Sequence, residues 1–115
     1  MSVVAARAAI TTALELVGGL SVTPAAPPTI TAYSAWPVLA RAEPVNYCVD
    51  EGTWYVFVAL PAGNNAASVA AGDILIDTAL PHFKTVGKVT AVEPWSWPLE
   101  TGGAAAPVIR FTLEV

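Results

Sequence analysis

The chain carries few residues that could do covalent chemistry, and they are scattered. His82 is its one histidine and Cys48 its one cysteine. A histidine base needs a positioned partner, and a cysteine nucleophile needs a neighbouring base or cation. Neither has one nearby in sequence. His82 follows Pro81 at the expected end of a helix, where an imidazole can bond free carbonyls. Cys48 reads as a structural thiol, and a lone cysteine leaves no internal disulfide. Asp73 and Asp77 stand four apart on an expected helix. Paired carboxylates can share a proton or hold a metal, but a metal needs more oxygen ligands than this spacing delivers. The pair reads as a solvated helix edge, with a subunit contact to Arg7, Arg41 or Arg110 as the other option. No phosphate loop, zinc spacing or serine elbow occurs. The expectation is a chain that is not an enzyme and takes no cofactor or metal.

Binding chemistry is better represented. Trp95 and Trp97 sit between Pro94 and Pro98, on what reads as a loop at a tip. Tryptophans held there can serve as interface residues or can cover the base of the core. Ile74 falls opposite the buried side of its helix, with Leu75 at the edge. Asp50 and Glu51 make a polar turn. These five, Trp95, Trp97, Ile74, Asp50 and Glu51, are the candidate interface residues.

The elements that position them follow from periodicity. Thr53–Leu60 alternates Trp54, Val56, Val58 and Leu60 against Tyr55, Phe57 and Ala59. Both sets are apolar, so the strand is central in its sheet or meets another subunit. Gly63-Asn64-Asn65 turns the chain, with Asn65 as helix cap. Ala66–Leu80 is the helix that follows, burying Val69, Gly72, Ile76, Ala79 and Leu80, and Pro81 ends it. An earlier helix, Val3–Val17, is capped by Ser2 and stopped by Gly18-Gly19. Its apolar face is Val3, Ala6, Ile10, Ala13, Leu14 and Val17, beside a polar stripe of Arg7, Thr11 and Glu15. It reads as a soluble helix, not a signal peptide or a membrane span.

Between these lie a proline-rich connector (Ser21–Pro28), a strand over Thr29–Trp36 ended or placed at an edge by Pro37, and a long ordered loop to Gly52 with a short strand near Val45–Val49. Lys84–Glu93 is a strand with Val89 and Ala91 opposing Lys88, Thr90 and Val92. A glycine-rich tip at Thr101–Ala106 leads into Pro107–Val115, the clearest alternation in the chain. These last two strands pair as an antiparallel hairpin. The fold class is α+β: about four mostly antiparallel strands with two helices on one face, in one domain of 115 residues.

Composition limits function. Hydrophobic residues make up 55% of the chain and charged residues 12%, about half the usual charged share. That is more apolar side chain than a core of this size needs, so association is expected. With a net charge of −4 and no Lys/Arg run, phosphate-neutralising nucleic-acid binding is disfavoured.

Taken together, the N-terminal amphipathic helix, the tryptophan-led strand TWYVFVALP after a long loop, the helix NAASVAAGDILIDTAL, and the closing VGKVTAVEP, glycine-rich tip and PVIRFTLEV resemble the tail terminator proteins of long-tailed, non-contractile bacteriophages, especially those of actinobacteria. The resemblance covers most of the chain from about Val3. It implies an α+β subunit of a hexameric ring that caps the tail tube, stops tube polymerisation and joins the head-completion (neck) protein. DNA would pass through the lumen without sequence-specific binding. It also implies a place in the virion, at the head–tail junction, after synthesis in the host cytoplasm, with no membrane involved. On this reading Asp50 and Glu51 face the lumen or a neighbouring ring, and the tryptophans sit at a tip. Two alternatives remain: a head-closure, stopper or minor tail protein of related fold, and a small ligand-binding module with the tryptophans as a stacking platform.

Overall fold

The computed structural model describes residues 2–44, 50–61, 65–98 and 106–115. Two helices cover one face of a five-stranded mixed sheet. In chain order the elements are α1 (Val3–Val17), β1 (Ser21–Val22), β2 (Ser34–Pro44), β3 (Asp50–Ala59), α2 (Asn65–Phe83), β4 (Lys88–Trp97) and β5 (Ala106–Glu114). The strand order is β1-β2-β3-β5-β4. Only β1–β2 is parallel. The fold class is the expected α+β with one strand more, the two-residue β1.

The first helix forms as its sequence dictates. The Ser2 hydroxyl accepts from the Ala5 amide at 3.1 Å and caps it. Gly18 and Gly19 close it at φ 79° and 73°, a left-handed conformation that glycine adopts without strain. Ala6, Ile10, Ala13 and Leu14 are buried, at the spacing of one helix face. Full burial of Ile10 and Leu14 contributes about 1.5–3 kcal/mol each. Arg7 is a tie within the subunit and not part of a solvent stripe. Its Nη1 donates to the Pro24 carbonyl at 2.7 Å and to that of Pro37 at 3.5 Å, and its guanidinium lies 5.0 Å from the Trp54 ring centre.

The central strand is β3, flanked by β2 and β5. Trp54, Val56, Val58 and, just past the strand, Leu60 face the helices, with Ile109, Phe111 and Leu113 of β5 beside them. Tyr55, Phe57 and Ala59 face the other way. There they meet Trp36, Val38 and Val108, so the sheet has an apolar cluster on each side.

Prolines account for the largest departures from expectation. Pro37 does not end a strand, and Pro37–Pro44 is not loop: both lie within β2. The expected strand at Thr29–Trp36 begins only at Ser34. Proline lacks an N–H, which matters only where a neighbour would accept it. β1 pairs with β2 only at Ser34 and Ala35, so beyond them β2 is a sheet edge. In the same way Pro94 lies inside β4, the opposite edge strand, which runs on through Trp97. Trp95 and Trp97 therefore stand on a strand, not on a loop. Pro81 lies in the last turn of α2, and the helix continues to Phe83, which is fully buried with its ring centre 4.8 Å from that of Phe111. That burial offsets the hydrogen bond the proline removes.

Two faces differ from those the periodicity predicts. A bulge between Val89 and Ala91 lets both Val89 and Val92 face the helix layer, where alternation had opposed them. On α2, Leu75 is buried with Gly72, Ala79 and Phe83, whereas Val69 stands exposed. The expected short strand at Val45–Val49, the Cys48 thiol, the Gly63-Asn64 turn and the tip from Thr101 to Ala105 lie outside the described residues. So do the side chains of Asn65, Asp50 and Glu51.

Candidate functional site

The open face of the sheet holds both tryptophans, and it gives them different roles. β4 places Glu93, Trp95 and Trp97 on the side away from the helices, opposite Arg110, Val108 and Ala106 of β5. Trp97 reaches across β5. Its ring meets Trp36 edge-on at 5.0 Å and Phe57 at 4.9 Å between centroids. Trp36 and Phe57 stack at 5.8 Å. Trp36 is fully buried here, and its indole N–H meets no acceptor among the described residues. Trp97 thus covers a second core, one of the two roles its sequence left open.

Trp95 remains 46% exposed. It lies over Arg110, whose guanidinium sits between the Trp95 ring at 3.9 Å and the Tyr55 ring at 4.5 Å. Arg110 Nη2 donates to Glu93 Oε1 at 2.6 Å. Stacking of a cation on two aromatic faces stabilises both rings and fixes the guanidinium plane. The guanidinium is paired through Nη2, whereas its buried Nε meets no acceptor among the described residues.

The second surface is the outer face of α2. One side of the helix meets the sheet, and the other mixes Ile74 and alanines with Asp73, Asp77 and Thr78. Ile74 is 69% exposed, as its place on the helix predicted, and Val69 is 62% exposed. Asp73 and Asp77 lie to one side of Ile74 around the helix, and Ala66, Ala67 and Ala70 continue the exposed surface. Beside Ile74, a shallow groove of about 270 Å³ runs between α2 and the end of α1, lined by Val17, Leu20, Tyr33, Ala71 and Leu75. Tyr33 holds φ at 63°, a left-handed conformation rare for a tyrosine. Its amide donates to the Ala59 carbonyl at 2.8 Å, and its own carbonyl accepts from Ser21 at 2.9 Å, so the turn is locked between strands. A larger groove of about 750 Å³ lies on the other flank of α2, walled by Leu60, Val69, Gly72, Ile76, Pro94 and Ile109. Sequence periodicity located Ile74, but the grooves depend on how α2 crosses the sheet and have no local signal.

Asp50 and Glu51 begin β3, registered opposite Pro44 and Glu43 on the β2–β3 hairpin. That arm projects from the end of the sheet opposite the β4–β5 tip, along a molecule 49 Å in its long dimension. His82 stands in the last turn of α2, where its carbonyl accepts from the Thr85 hydroxyl at 2.6 Å and amide at 3.2 Å. Among the described residues, no three His, Cys, Asp or Glu side chains converge on a metal position. No described helix is long and apolar enough to cross a membrane.

The described geometry therefore offers surfaces: an aromatic–arginine platform on the sheet and an apolar helix face edged by carboxylates. Scanned against family models and compared with curated proteins, the chain matches none.

Proposed function

We propose that this chain is a structural virion protein that assembles into a closed ring and caps the tail tube of a non-contractile bacteriophage tail, in the manner of the tail terminators it resembles. The observation that carries this reading is α2. Large apolar side chains left in solvent on a helix are surface that a partner can cover. Here Ile74 stands exposed beside Asp73 and Asp77, and Val69 stands exposed at the groove on the other flank of the helix. A second protein surface is the economical cover for them.

The ring, hexameric by the resemblance, would sit on the last tube ring, stop further tube growth and present its far side to the neck protein. It would act at the head–tail junction of the virion after synthesis in the host cytoplasm. A net charge of −4 per subunit suits a lumen that lets DNA pass without holding its phosphates. In this role the chain has no catalytic step and takes no cofactor. A head-closure or minor tail protein would share the fold and differ in position. A tube protein would polymerise without limit, whereas a terminator stops at one ring.

The test is a tube-growth assay. Purified chain is added to elongating tail tubes, and their ends and lengths are read by electron microscopy. Capped ends and arrested growth are the expected result. Tubes of unchanged length with bare ends would overturn the reading. A second reading, a small ligand-binding module, draws on the 750 Å³ apolar groove, which is within the usual size range of ligand sites. Saturable uptake of an apolar fluorescent probe by a chain that never assembles would favour it.

A further inference from the structure

We propose that the contact between copies is head-to-tail: the outer face of α2 around Asp73, Ile74 and Asp77 seats on the Lys84–Lys88 corner of a second copy. This rests on the ring reading above and names the surfaces that make the ring.

The chain has five lysines and arginines. Arg7 is held by the Pro24 carbonyl and lies over Trp54. Arg110 is paired with Glu93, and Arg41 is engaged as well. Lys84 and Lys88 are exposed and form no ion pair among the described residues, although Glu114 is registered opposite Lys88 across β4 and β5, which leaves Lys84 as the cation with no carboxylate registered against it. Both lie at one corner, where the chain leaves α2 and enters β4.

The carboxylates of α2 are the complement. Asp73 and Asp77 are exposed, one helical turn apart, and have no cation partner among the described residues. Both lie to one side of Ile74 around the helix, so the patch is an apolar residue with a charged edge, and charge beside an apolar contact is common at protein interfaces. The exposed alanines at 66, 67 and 70 let another surface approach the helix closely. The two patches cannot satisfy each other within one subunit. Asp77 and Lys84 are seven residues apart, roughly 10 Å along a helix axis, and Asp73 is farther still. Between two copies, the negative patch of one meets the positive corner of the next. The patches are different surfaces of the same chain, so the contact is heterologous, the kind that builds a ring when its rotation closes and a filament when it does not. The charges fix orientation and discourage the α2-to-α2 alternative, in which carboxylates would face carboxylates.

Two variants test this: Asp73→Lys with Asp77→Lys, and Lys84→Asp with Lys88→Asp. All four sites are exposed, and circular dichroism checks that each variant folds. Assembly is read by light scattering, or by capping of tube ends if the ring forms only there. Each variant alone should assemble at least tenfold less than the parent chain. An equal mixture should recover assembly, because every contact in an alternating ring then joins opposite charges, and a ring with an even number of subunits accommodates alternation. Variants that assemble like the parent, or a mixture that stays unassembled, would overturn this contact while leaving the ring reading intact. A parent chain that never assembles, on tubes or off them, removes both.

Discussion

The Arg110 guanidinium lies 3.9 Å from the centre of the Trp95 ring while its Nη2 bonds Glu93 Oε1 at 2.6 Å. All three side chains sit on the open face of one hairpin, and Tyr55 of β3 closes the stack from the other side. The Arg110 side chain is 14% exposed, so its charge depends on Glu93. Glu93→Ala should therefore lower stability by about 1 kcal/mol, between an exposed ion pair and a charged hydrogen bond. Trp95→Ala should cost about 0.5–1 kcal/mol through the lost cation–π contact. Denaturant midpoints measure both. An unchanged midpoint for Glu93→Ala would mean that solvent serves Arg110 equally well.

Trp97 should behave differently from Trp95, although only Ser96 separates them. Its ring covers Trp36 and Phe57. Trp97→Ala should cost about 2–4 kcal/mol, toward the lower end of large aromatic truncations because Trp97 is half-buried. Fluorescence of the buried Trp36 should shift to the red. Equal losses for the two tryptophans would contradict the distinction drawn between cover and platform.

Two glycines give a paired prediction. A Cβ on Gly87 would meet the Glu114 carbonyl oxygen at 2.3 Å and Val115 Cγ2 at 3.1 Å. The first is backbone and cannot swing aside. Gly87→Ala should destabilise by about 1–3 kcal/mol. A Cβ on Gly72 would meet Ile109 Cδ1 at 3.5 Å, an ordinary contact. Gly72→Ala should be neutral or stabilise by up to about 1 kcal/mol through helix propensity. Thermal melts of the two variants give the sign of each effect.

Ile74 separates folding from assembly. It is 69% exposed, so Ile74→Glu should change subunit stability by no more than about 0.5 kcal/mol. The same change places a charge in the middle of the proposed contact and should abolish assembly. A variant that assembles normally would remove α2 from the interface.

The parts of this fold that were legible in sequence are those fixed by local chemistry. The first helix starts at Ser2 and stops at Gly18-Gly19 because the caps are themselves the signal. The two-faced β3 and the exposure of Ile74 follow from period alone. What was not legible depends on neighbours. Pro37 and Pro94 look like strand breakers, yet each lies on an edge strand where its missing N–H costs no pairing. No local pattern states which strand is an edge. The bulge near Thr90 moves Val92 to the helix side, and alternation cannot foresee it. Trp95 and Trp97 share a face and a flanking chemistry. Only the presence of Trp36 and Phe57 across β5 makes one a cover and leaves the other exposed. Arg7 belonged to a polar stripe by spacing, but the Pro24 carbonyl draws it inward.

The proposed closed ring is tested most directly by the mass of the chain's assembled form. Light scattering after size exclusion, over a concentration series and with tail tubes added, reads it. The account predicts one discrete species of fixed copy number, six by the resemblance, formed in solution or on tube ends. A chain that stays monomeric at every concentration and also ignores the tubes would contradict it.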